Sequence, residues 1–133
     1  MPVSRSCQYE LQSLLSAHPP FEVWRARHPL TGSTCLLKLL KQDGSPESKA
    51  ASDLVIAAVN RHAMIRNRRI ITARRLASHN GNLVLEYPFL EGGDWRPVTP
   101  TLLAQHWYQL IGQIALAVDY LHLRGLVHGD LKL

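Results

Sequence analysis

The run from Leu102 to Leu123 is the strongest constraint on what this chain can become. Trp107, Leu110, Ile111, Ile114, Val118 and Leu121 recur at spacings of three and four residues, which puts them on one broad apolar stripe of an α-helix. Gly125 then ends the helix, because glycine enters the left-handed conformation that closes helices without a side-chain penalty. A helix with so wide an apolar face has to bury it, so it demands a partner layer.

The first ninety residues offer a sheet. Tyr9–Leu15 alternates imperfectly, and His18-Pro19-Pro20 breaks the pattern, since proline lacks a backbone N–H and restrains the residue before it. Phe21–Arg27 and Ser33–Leu40 are predicted strands separated by the turn His28-Pro29-Leu30-Thr31-Gly32. Gln42–Ser48 reads as a polar loop and Ala50–Arg66 as a helix carrying Leu54, Ala57, Ala58, Arg61 and Ile65. Ile70–Ala77 and Leu83–Tyr87 are further strand candidates. Between them lies Asn80-Gly81, a pair suited to the positive φ angles of a tight hairpin. Pro88–Pro100 is a connector rich in glycine and proline.

On the third strand, alternation puts Leu36, Lys38 and Leu40 on one face and Cys35, Leu37 and Leu39 on the other. A lysine among apolar residues asks for a reason. One is an edge-strand lysine snorkelling to water; another is a charge needed inside a cleft.

Composition excludes several classes. With 133 residues, 46% hydrophobic and 19% charged, the chain fits one ordinary globular domain. Two cysteines, Cys7 and Cys35, are too few for a disulfide scaffold and have no metal-ligand spacing. No apolar run approaches the length needed to span a bilayer, and the first residues lack a signal-peptide core, so a cytoplasmic location is expected. The net charge is +5, and Arg61, Arg66, Arg68, Arg69, Arg74 and Arg75 lie close in sequence. Such a cluster can meet phosphate backbones or acidic membranes, but the favoured reading is a solvated helix end and strand. Without zinc-finger spacing, an RNA-binding signature or a recognition-helix pair, nucleic acid is not an expected partner.

The end of the chain, Tyr120-Leu121-His122 and then Val127-His128-Gly129-Asp130-Leu131-Lys132, resembles the approach to the catalytic loop of eukaryotic-type, serine/threonine-like protein kinases. The rest agrees in order. Val23-Trp24-Arg25-Ala26-Arg27 resembles the family's second strand, and Lys38 its third-strand lysine. Leu83-Val84-Leu85-Glu86-Tyr87 resembles the strand entering the hinge, and Glu91-Gly92-Gly93-Asp94 the segment after it. The resemblance implies an α+β fold: a kinase N-lobe of five antiparallel strands and one helix over 9–87, after a tail at 1–8. A hinge and connector at 88–101 and the first helix of an incomplete C-lobe at 102–133 would follow.

It also implies ATP and Mg2+ as the parent family's cofactors and a protein as substrate or partner. Asp130 would take the acceptor hydroxyl's proton, and Lys132 would stabilise the transferring phosphoryl group. Lys38 would hold the α- and β-phosphates. Val23, Leu36, Leu85 as gatekeeper, Tyr87 and the backbone of Glu86 to Pro88 would enclose adenine, and Asp94, or Glu91 in a shifted alignment, would reach the ribose.

Several departures from the family pattern point the other way. The three glycine positions of its phosphate loop fall on Ser16, His18 and Phe21, with Pro19 and Pro20 removing two backbone donors. Leu36 stands where a small alanine normally roofs the adenine, and overpacking of that kind costs about 1–3 kcal/mol. The glutamate that pairs with the lysine would align near Ala58. Asp53, five residues upstream, lies roughly 140° round the helix. The metal ligands and activation segment would lie beyond Leu133. The expectation is therefore a truncated kinase domain, inactive as this chain, with weak or no Mg-ATP binding. A non-catalytic, pseudokinase-like interaction module is the alternative, and a basic nucleic-acid-binding domain a third. Self-association through the exposed helix face is also expected.

Overall fold

The computed structural model describes residues 8–92 and 100–131, with the side chains of 100–103 and 105 outside that description. Its elements run β1 (Glu10–His18), β2 (Phe21–Arg27), β3 (Thr34–Leu40), α1 (Pro46–His62), β4 (Arg75–His79), β5 (Asn82–Pro88) and α2 (Pro100–His122). The five strands form one antiparallel sheet in the order β1-β2-β3-β5-β4. This is the α+β architecture of a kinase-like N-lobe followed by a helix.

The chain divides into two units. One holds the sheet and α1, and the second holds Arg66–Ile70 with the residues from Leu90 onward.

In the first unit, strand alternation builds a core on each face of the sheet. Leu40, Leu76, Leu83 and Leu85 pack with Val59 of α1, and Phe21, Ala51, Val55, Ile56 and Tyr87 border them. Ala26, Cys35, Leu37, Leu39, Ala77 and Val84 fill the other face with Tyr9. A sheet apolar on both faces explains why the third strand reads Cys-Leu-Leu-Lys-Leu-Leu rather than as a strict alternation.

Turns follow their residues. Asn80 and Gly81 take φ of 49° and 81°, the signature of a tight hairpin between β4 and β5. Ser45 caps α1 by accepting the Ser48 N–H at 3.1 Å, with Pro46 at the first turn. The helix therefore starts earlier than the polar loop predicted over 42–48 allowed. β1 runs on to His18, and β4 begins at Arg75 rather than Ile70.

In the second unit, Gly125 closes α2 as expected: at φ 68° it donates to the His122 carbonyl, and Leu126 N–H reaches the Leu121 carbonyl at 3.0 Å. Tyr120 ties α2 to the 66–70 segment, its hydroxyl accepting the Arg66 N–H at 2.9 Å while the Arg124 guanidinium stacks on its ring at 3.6 Å. Arg69 adds a side-chain bond to Gln113. No helix among the described residues is long and apolar enough to cross a membrane.

Candidate functional site: a cationic sheet face

Register decides which predicted site residues meet. Val23 of β2 and Leu85 of β5 flank Lys38 of β3 on either side, and Arg25 and Tyr87 flank Leu36 in the same way. Directly paired residues share a face. Val23, Leu36, Lys38, Leu85 and Tyr87 therefore stand together on the side of the sheet that packs against α1. The residues expected to enclose a base and hold phosphates are thus brought into one patch. Glu86 and Pro88 alternate to the opposite face.

Lys38 does not present a free ammonium to that patch. Its Nζ lies 4.4 Å from the centroid of the Phe21 ring. Such a cation–π contact is worth about 0.5–1 kcal/mol when exposed and about 2 when desolvated. Among the described residues no carboxylate pairs with Lys38, and neither Glu47 nor Asp53 of α1 reaches it. Phe21 is itself one of the positions where the resemblance puts a loop glycine. The other two, Ser16 and His18, sit on β1 opposite Val23 and Phe21, and Pro19-Pro20 makes the turn. In place of backbone that can approach a phosphate closely, the fold places an aromatic ring, and it holds the lysine against that ring.

The hinge backbone is committed elsewhere. The Glu86 carbonyl accepts the Arg74 N–H at 2.7 Å. Tyr87 and Pro88 stay in register with Leu36 and Cys35, so β5 continues through the segment expected to offer backbone groups to adenine. Pro88 has no N–H to give in any case. Glu86 to Pro88 are strand residues, and at Pro88 the backbone offers only an acceptor. The Glu86 carboxylate points behind the sheet, accepting the Tyr9 hydroxyl at 2.7 Å and facing His28 Nε2 at 3.8 Å. Burial pushes the Tyr87 phenol above its ordinary 10.

Arg25 is the participant that the sequence analysis did not single out. Its guanidinium carbon lies 4.9 Å from the Phe89 ring centroid, and its Nε is buried without a hydrogen-bond partner. Alternation from Val23, two residues before it, was the signal that could have placed it beside Leu36.

Of the other predicted residues, Asp130 is exposed in the second unit, where its backbone N–H donates to His128 Nδ1 at 3.2 Å. Asp94 and Lys132 lie outside the described residues. Among the described residues no group of three or more His, Cys, Asp or Glu side chains is arranged to hold a metal. Measured against ATP with magnesium, the patch does not fit. Phe21 stands in the phosphate approach, Leu36 takes up the roof, and Pro88 cannot donate to the base.

No protein-family model matches the chain. It is similar to the serine/threonine-protein kinase PknJ of Mycobacterium tuberculosis, 25% identical over 126 residues that make up 93% of this chain, and to PknJ of Mycobacterium bovis at the same identity and coverage. The chain spans about a fifth (21%) of the length of these relatives. The similarity supports a kinase-like relationship.

Proposed function

We propose that the chain is the leading part of a serine/threonine-kinase-like domain, in which phosphoryl transfer to protein is the parent family's activity and the nucleotide site of this chain is out of use. The observation that carries this reading is Lys38: it stands in register with Val23 and Leu85, yet its ammonium rests on Phe21 with no carboxylate from α1 among the described residues. A phosphate-binding lysine needs a carboxylate partner to hold it toward the phosphates, because catalysis of this type depends on positioning and charge neutralisation. Lys38 is positioned but engaged. Asp130 and Lys132 take the acceptor-side roles in the parent family by resemblance.

A second reading, a non-catalytic interaction module, is favoured by the aromatic and leucine side chains that stand on the base-binding face. The two diverge on what happens when that face is cleared. In the kinase-derived reading, Leu36→Ala combined with Phe21→Gly returns Mg-ATP affinity, tightening it about tenfold, since relieving overpacking is worth about 1–3 kcal/mol. Calorimetric titration of wild type and variant reads this directly. A folded variant that binds Mg-ATP no better than wild type overturns the kinase-derived reading and leaves the interaction module.

A further inference from the structure

We infer that the side of α2 carrying Gln113, Tyr120 and Arg124, with the 66–70 segment bound to it, docks a carboxylate-rich segment of a partner protein. These three residues stand seven and then four positions apart, so at 3.6 residues per turn they share one side of the helix. Asn67 folds the segment opposite them into a turn. Its side chain accepts the Arg69 N–H at 2.9 Å and its carbonyl accepts the Ile70 N–H at 3.0 Å. Arg68 and Arg69 stand exposed on that turn, and the Arg66 N–H fixes it to the Tyr120 hydroxyl at 2.9 Å.

Two of the guanidiniums are held without being neutralised. Arg69 Nε donates to the side-chain oxygen of Gln113. Arg124 lies on the Tyr120 ring at 3.6 Å and gives one terminal nitrogen to the Tyr120 carbonyl at 3.3 Å. An amide oxygen, a ring face and a backbone carbonyl all orient a cation, and none cancels its charge. Among the described residues neither Arg69 nor Arg124 is ion-paired. A guanidinium carries five N–H donors in a planar fork, so each keeps an edge that fits the two oxygens of a carboxylate. Side chains ordered beforehand lose less entropy when a partner arrives.

Charge and placement select the partner. From Leu54 to Leu85 the sequence has six arginines and no carboxylate. The single acid of α2, Asp119, lies about 100° round the helix from Tyr120. The positions that hold Arg69 and Arg124 are two helical turns apart, about 10 Å along the axis, which three residues of extended chain cover. A second copy would set arginine against arginine on a chain whose net charge is +5. A bilayer surface needs apolar side chains beside the cations, whereas Ile114 and Ile111 lie roughly 100° and 160° round α2 from Gln113. Single-stranded nucleic acid needs an open aromatic platform for its bases, and Arg124 covers the Tyr120 ring. The surface lies within the second unit and stands whatever becomes of the nucleotide reading.

Fluorescence anisotropy of a short labelled oligoglutamate titrated with the whole chain tests it, beside a labelled single-stranded oligonucleotide of equal charge and phosphatidylserine vesicles. The expected result is saturable binding of the oligoglutamate that weakens as salt is raised. Arg69→Gln and Arg124→Gln should each weaken it by about tenfold, the loss of one charged hydrogen-bonded contact. Lys49→Gln on α1 removes the same charge and should leave it unchanged. Absence of saturable binding overturns the proposal, and so does equal weakening by Lys49→Gln, the mark of diffuse attraction to a basic chain. Tighter binding of the oligonucleotide or the vesicles also overturns it, in favour of a phosphate-bearing partner. Should Arg124→Gln not fold, Arg68→Gln joins Arg69→Gln, and unchanged binding in both overturns the proposal.

Discussion

Tyr9 sets its phenol against the Glu86 carboxylate at 2.7 Å behind the sheet, and meets the His28 and His79 rings edge-on at 5.6 and 6.2 Å. His28 Nδ1 accepts the Leu30 and Thr31 N–H groups, so the bonds assign the neutral ring's proton to Nε2, on the side of Glu86. Tyr9→Phe removes one donor from a largely buried carboxylate and should cost about 1–3 kcal/mol in urea unfolding. An unchanged midpoint would show that the bond contributes nothing. On the other face, the raised Tyr87 phenol gives a pH dependence with a definite sign. The unfolded chain releases this proton near 10 while the folded chain holds it higher, so stability is intact below 10 and falls as pH rises past it. Tyr87→Phe should flatten that alkaline loss. Lys38, Val23 and Leu85 were legible from alternation and resemblance. The Phe21 and Phe89 rings under the two cations were not, because a cation–π partner has no fixed sequence spacing.

Among elements, α1 shows how a local signal was available yet misread. Ser45-Pro46-Glu47 supplies a capping hydroxyl, a proline at the first turn and an acid near the positive helix end, but its polarity resembles a loop. Ser45→Ala should lower stability by about 1 kcal/mol, read by thermal or urea unfolding. Asp43 supports the cap by accepting the Ser45 N–H at 2.9 Å, and hydrogen bonds from Ser45 hold its carboxyl down at about 2. Its contribution is therefore complete above the ordinary 3.8 and is lost as pH falls toward about 2. Asp43→Asn should remove that part of the acid dependence, measured as the difference in unfolding midpoint between pH 5 and the acid limb. The late start of β4 has a different cause. Residues 66–70 bond within their own segment, with Arg69 N–H to the Asn67 side chain at 2.9 Å, and to α2 through Tyr120, so tertiary contacts override the strand propensity of Ile70 and Ile71. The 80–81 hairpin and the stop at Gly125 were readable because both depend on positive φ, which few residues supply.

At the scale of the molecule, the predicted apolar stripe of α2 is uneven. Leu121 is buried, whereas Trp107, Ile111 and Ile114 are 42%, 43% and 37% exposed, alongside Tyr108 at 89%. Burying one such side chain is worth about 1.5–3 kcal/mol, and contiguous exposed apolar surface marks association. The chain should therefore elute as a dimer or larger species in size-exclusion chromatography with light scattering, and Ile111→Glu should shift it toward monomer. A monodisperse wild-type monomer would contradict this. The central claim, a kinase-like lobe whose nucleotide face is out of use, is tested most directly by the melting temperature at millimolar ATP with and without magnesium. Ligand at 100 times its dissociation constant would stabilise a binder by about 2.7 kcal/mol. The account predicts no magnesium-dependent rise, and a clear rise that requires magnesium would contradict it.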